Sequence, residues 1–241
     1  MRPGPVASAV ILSLLVVSCA SPTWDGELRS WGTVHEVMRF ERTAGRVELA
    51  EAAASPAAVG LGALEGLQGE VLVLDGRVWV SRSAGDARPD ARAPKPGERA
   101  TLLFLAEVPR WLDVEVDRHL AGEELEAFVR AAARDAGLDP RRPLPFVLDG
   151  PLAELQLHVT AGRCPRAHPE LADDERPFRA EFGATRGTLV GVFAEDAGGD
   201  LMHHGEKAHL HALVGGERPL VGHVDGVVVA PGAVLRLPVS D

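Results

Sequence analysis

The chain has 241 residues, of which 46% are apolar and 25% charged, the balance of a folded globular protein rather than a disordered or multi-spanning one. Its 25 Lys+Arg against 35 Asp+Glu give a net charge of −10, which repels nucleic-acid phosphates and anionic lipid. Tyrosine is absent and aromatic residues make up only 5%, so platforms for stacking bases are scarce, and nucleic-acid binding is not expected.

Residues 1–21 read MRPGPVASAVILSLLVVSCAS. Arg2 supplies a positive start, and residues 6–17 form an unbroken run dominated by apolar and small side chains. That run is shorter than the roughly 20 residues that span a bilayer and has the proportions of a secretory signal. Val16-Val17-Ser18-Cys19 resembles a bacterial lipobox, which implies cleavage before Cys19 and a lipid anchor on it. No acidic residue follows at Ala20 or Ser21; the expected destination is the outer membrane, facing the periplasm, with the anchor as the chain's membrane contact. Cys164 then has no partner for a disulfide and reads as a small buried hydrophobe.

Residues 22–31 form a tether. Helical patterns follow at 33–40 and 46–54, the second ended by Ser55-Pro56. A glycine-rich stretch (Gly60, Gly62, Gly66, Gly69) leads into EVLVLDGRVWV at 70–80, where Asp75-Gly76 between apolar runs signals a hairpin. Residues 83–98 read as an exposed polar loop and 100–108 as a buried strand. The clearest helix covers 122–137, with Leu125, Phe128, Val129 and Ala132 on one face and Gly137 as its stop. The Pro-rich segment 139–145 marks a joint between two halves, 22–138 and 139–241. In the second half, Leu155, Leu157 and Val159 alternate with Glu154, Gln156 and His158, and further strands follow at TLVGVFAE, AHLHALV, PLVGHVDGVVVA and VLRLPV. The expected class is α/β (α+β): two packed subdomains, the second a mostly antiparallel sheet.

Five of the nine histidines fall between 203 and 223. On a strand, the period of two points His209 and His211 to the same face. Gly215-Gly216 and Pro219 let the chain turn back, so a hairpin can bring His223 beside the pair. Three neutral imidazoles about 2.1 Å from a metal, with a position left open, is the pattern of a catalytic site. Spacing alone equally allows three structurally bonded histidines on a sheet.

The run VGLGALEGLQGEVLVLDGRVWV (59–80), then GTLVGVFAED (187–196), then HLHALV (209–214) with GHVDG (222–226) resembles the α-acetolactate decarboxylase family, over residues 32–238. The resemblance implies two packed α/β subdomains, a Zn²⁺ ion on His209, His211 and His223, a small β-keto acid substrate and a catalytic glutamate at Glu70. A homodimer is compatible with it. The chain departs from the family at two places. His158 falls where the family carries a substrate-orienting arginine, with Arg163 and Arg166 nearby in sequence. The tail LRLPVSD offers at most Asp241 in place of a C-terminal glutamate. His158 therefore stands as the second candidate catalytic residue, its protonated ring taking the place of the guanidinium. A cupin-like metal binder and a non-catalytic envelope lipoprotein keeping the decarboxylase fold are the competing readings.

Overall fold

The structure is a computed structural model that describes residues 22–240 except 84–86, 164–169, 171–175, 197–198 and 204. The signal segment, Cys19, Cys164, Arg166 and Asp241 therefore lie outside the described residues.

The first part of the chain runs β1 (Arg29–Trp31), α1 (Val34–Phe40), β2 (Val47–Glu48), α2 (Leu49–Ala52), β3 (Ala58–Leu64), β4 (Glu70–Leu74), β5 (Arg77–Ser81) and β6 (Arg99–Glu107). It continues through β7 (Trp111–Glu115), β8 (Leu120–Ala121), α3 (Gly122–Asp135) and β9 (Leu144–Val159). The remainder comprises β10 (Phe178–Phe182), β11 (Thr185–Phe193), β12 (Ala208–Val214), β13 (Leu220–Val229) and β14 (Val234–Pro238). One sheet has the order β1-β6-β3-β4-β5 with β2 on β6; the other has the order β7-β14-β9-β11-β12-β13-β8 with β10 on β9. Neighbouring strands in both are antiparallel. The α+β class with a mostly antiparallel second sheet is what the fold shows, and the first sheet is antiparallel as well.

Local chemistry explains the elements. Asp75 and Gly76 both take positive φ, 49° and 70°, the requirement of a two-residue turn that matches strand twist, and they join β4 to β5. All seven residues of β3 are buried because this sheet packs on both faces. One face meets the second sheet through Leu61, Leu72 and Phe104; the other holds Leu49, Leu64, Val71 and Leu103. At Gly62 an added Cβ would lie 2.0 Å from the Leu102 carbonyl oxygen, and at Gly60 2.2 Å from that of Phe104. The glycine-rich run thus lets β3 lie against β6 closer than any side chain permits. Helix α1 begins at Thr33, whose Oγ1 accepts the Glu36 N–H at 3.1 Å as an N-cap. Helix α3 buries Leu125, Val129, Ala132 and Ala133, while Phe128 is partly buried against the same core.

The expected helix at 46–54 forms only the four-residue α2, preceded by the short strand β2. Val47 pairs with Ala100 on β6, and the residues left before Ser55-Pro56 are too few to sustain a helix in water. The Pro-rich segment is not a boundary between the sheets, since β7 and β8 already belong to the second sheet and Leu144-Pro145 begin β9.

Strand β9 determines the shape of the second sheet. Its first half pairs with β11, from Leu144↔Phe193 to Leu152↔Thr185. Its second half pairs with β13, up to His158↔His223. Since β11, β12 and β13 are paired in turn, the four strands close into a ring whose face meets β3 and β4 of the first sheet.

Candidate metal centre

The ring places one row of side chains on the face toward the first sheet. Across adjacent strands the register reads Arg179 opposite His158, His158 opposite His223, His223 opposite His211 and His211 opposite Val190. His209 lies two residues before His211 on β12 and so shares its face. His209, His211 and His223 are buried, and their ligand nitrogens lie within 4.8 Å of one another.

Hydrogen bonds fix which nitrogen faces inward. His209 Nδ1 lies 2.7 Å from the Leu201 carbonyl oxygen, and His211 Nδ1 lies 2.9 Å from the Val71 carbonyl oxygen. A carbonyl only accepts, so each Nδ1 is the protonated donor and each neutral ring keeps a lone pair on Nε2. This is the support that metal-ligating histidines generally receive. Burial holds His211 and His223 well below the usual histidine pKa, reinforced by the neighbouring imidazoles, His209 first. Neutral rings are what a metal requires. The residues fit a divalent metal on three imidazoles with an open position.

Glu70 begins β4 at the edge of this set. Its side chain is 2% exposed; Oε1 accepts the Thr160 N–H at 3.0 Å, and Oε2 lies 3.6 Å from His211 Nε2. Burial pushes its pKa above the ordinary value, against the opposing pull of His158 and the Thr160 hydrogen bond. Glu70 is therefore biased toward the neutral acid, the form that can give a proton. His158 is 5% exposed and donates Nδ1–H to Asp225 Oδ1 at 2.8 Å. Arg179 donates to the other oxygen of Asp225 at 2.9 Å. A cavity is lined by Glu70, His158, His203 and the three ligand histidines together with Val34, Val37 and Met38 of α1.

All five residues named from the sequence, Glu70, His158, His209, His211 and His223, thus surround one cavity. His158 is not on a wet sheet face, although Glu154 and Gln156 on the same stretch of β9 are exposed. Sequence reasoning missed Asp225, Thr160, His203 and the α1 wall. Asp225 had a signal, two residues after His223 on the same strand. The V-x-x-V-M spacing of α1 carried only the signature of an apolar helix face.

The fold and the site define a protein of two antiparallel sheets in which three strand-borne imidazoles form a group that could hold a metal. The sequence profile of the alpha-acetolactate decarboxylase family matches residues 43–237, and the chain belongs to that family. Alpha-acetolactate decarboxylase from Bacillus subtilis strain 168 superposes with a TM-score of 0.70 at 20% identity, over 88% of this chain and 85% of that one. The acetolactate decarboxylase of Bacillus subtilis subspecies spizizenii gives the same values. A Staphylococcus aureus protein of unknown function, similar to alpha-acetolactate decarboxylase, gives a TM-score of 0.66 at 18% identity, over 88% and 85% of the two chains. No curated protein sequence matches the chain.

Two outcomes follow from the ligand set. The purified protein should hold about one divalent metal per chain by elemental analysis, and His211→Ala and His223→Ala should each lose it. In the metal-free protein, the unfolded chain takes up protons on these histidines below its pKa of about 6.5, where the native rings remain neutral. Their contribution to stability is present above that pH and is lost as pH falls through the window beneath it. Glu70, with its pKa raised, acts with the opposite sign, so denaturant midpoints measured between pH 7.5 and 5.5 should fall at least as steeply with falling pH in Glu70→Gln as in wild type.

Proposed function

We propose that the protein is a zinc-dependent decarboxylase that converts 2-acetolactate, or a closely related small β-keto acid, to acetoin and CO₂. The observation that carries this reading is Glu70: a buried carboxyl group whose pKa burial pushes up, 3.6 Å from a nitrogen of the three-imidazole set. His209, His211 and His223 would hold the zinc, which when bound would supply Lewis acidity toward the substrate's ketone. His158 faces the same cavity from the adjacent strand. When doubly protonated, its ring donates one N–H to Asp225 and offers the other to the substrate carboxylate.

The carbon–carbon bond to the carboxylate breaks, its electron pair moves into the adjoining ketone, and CO₂ leaves. Glu70 then gives its proton to the carbon that carried the carboxylate, which yields acetoin, and recovers a proton from water. Val34, Val37 and Met38 line the cavity and suit the substrate's methyl substituents. Their burial also limits water near the carbanion-like carbon.

In an acetoin assay on metal-loaded protein, Glu70→Gln should retain the metal and lower kcat by roughly 10²–10⁴-fold, the range of one positioned acid. His158→Ala should raise KM or lower kcat by about 1–3 kcal/mol, the worth of a charge-assisted hydrogen bond. His158→Arg should keep or raise activity, because a guanidinium binds a carboxylate through two parallel bonds. Absence of acetoin from the metal-loaded wild type would overturn the assignment.

We propose further that the chain is exported and lipid-anchored through Cys19, on the sequence of residues 1–21. Radiolabelled palmitate should enter the wild type and not Cys19→Ser; equal labelling of both would remove the anchor.

A further inference from the structure

We propose that Asp225, braced by Arg179, is the positioning residue that aims the His158 ring at the carboxylate of the bound substrate. This rests on the decarboxylase reading above for the identity of the ligand, and on the following geometry for the role.

The β9–β13 ladder pairs His223 with His158 and Val224 with Leu157, but the next partner of Gln156 is Gly226. Asp225 is the extra residue of a β-bulge. A bulge twists the strand locally and re-aims one side chain away from regular alternation, a device common beside functional sites. Asp225, two residues after His223 and so on the face that carries His158, reaches from the bulge to the neighbouring strand, where Oδ1 accepts His158 Nδ1–H at 2.8 Å. The second oxygen accepts Arg179 Nη1–H at 2.9 Å. Donors on two different strands thus hold the two oxygens, which fixes the plane of the carboxylate and through it the plane of the imidazole.

The exposures grade from outside inward. The side chain of Arg179 is 57% exposed, that of Asp225 20% and that of His158 7%. An isolated ion pair as exposed as Arg179 contributes little to stability. Its consequence here is directional, since it stops the carboxylate from rotating off the ring. With Nδ1 committed to Asp225, only Nε2 of His158 can face the cavity. The His158 ring centroid lies 4.9 Å from that of His223, yet His158 stands outside the group of three whose nitrogens converge. It is set beside the metal ligands rather than among them, as a group addressing a bound ligand must be.

The test uses the full chain loaded with zinc. Binding of 2,3-dihydroxy-2-methylbutanoate, the reduced and unreactive form of the substrate, is compared by calorimetry with that of 2-methylbutane-2,3-diol, which lacks the carboxylate. Asp225→Ala should retain about one zinc per chain and bind the acid at least about tenfold more weakly, the loss expected for one misdirected charge-assisted hydrogen bond. Its affinity for the neutral diol should not change. Asp225→Asn keeps an acceptor oxygen and should stay within about threefold of wild type. In ¹⁵N-histidine-labelled protein, the Nδ1–H signal of His158 should persist in Asp225→Asn and disappear in Asp225→Ala. The double variant His158→Ala/Asp225→Ala should bind the acid no more weakly than His158→Ala, because the two residues act as one unit. Additive losses in the double variant, or equal weakening of acid and diol, would overturn the positioning role. So would an Asp225→Ala variant that binds the acid as wild type does. A wild type that holds zinc but does not bind the acid would instead overturn the decarboxylase reading on which the proposal stands.

Discussion

Closure of the second sheet through β9 is the constraint on which the site depends. An antiparallel strand satisfies its backbone only in register with its neighbours, and β9 has neighbours on both edges for half of its sixteen residues. Because its first half belongs to β11 and its second to β13, the β11–β12–β13 meander has to curl until its ends meet the same strand. The curl brings His158 opposite His223, and His223 opposite His211. A slip of one residue in any of these ladders would turn its histidine to the other face. Metal-site geometry is therefore held by backbone hydrogen bonds spread across the sheet, and not by a local motif.

The second requirement is electrostatic. Imidazoles and a carboxyl group are buried together against apolar side chains, where charge is costly. The site meets that cost mainly by keeping groups neutral. Burial lowers the pKa of His211 and His223 and raises that of Glu70, while carbonyls of Leu201 and Val71 take the Nδ1 protons. Those same directions suit the proposed chemistry, which needs a lone pair to hold a metal and an acid to give a proton. The ionic pairing is placed at the rim, where Asp225 meets Arg179 at the solvent edge.

Much of this architecture was legible in the residues. The Asp75-Gly76 hairpin could be read because its turn demands positive φ, and α3 because its apolar stripe has a helical period. The glycine-rich run was visible as a motif, but its reason was not. That reason is the approach of β3 to the carbonyls of Leu102 and Phe104, residues some forty positions away. The expected helix at 46–54 failed because its helical pattern competed with pairing of Val47 to Ala100, a long-range contact that no local period reports. The joint at 139–145 read as a domain edge from its prolines, yet it feeds directly into the strand that closes the sheet.

The sequence by itself determined which residue types could hold a metal and that two of them, His209 and His211, share a face, since alternation is a local property of any strand. With the family resemblance it also supplied Glu70, His223 and His158. Only the tertiary structure decided that these five meet at one cavity, because the meeting depends on pairing of β9 with β13, which sets His158 opposite His223, and on packing of the two sheets, which brings Glu70 to Thr160. It also decided the directions in which the pKa values of Glu70, His211 and His223 move, because these follow burial and neighbours rather than residue identity. Asp225 shows the division most plainly. Its spacing from His223 was written in the chain, but its contact with His158 depends on the pairing of β13 with β9, and the bulge at Asp225 exists only where those two strands fall out of step.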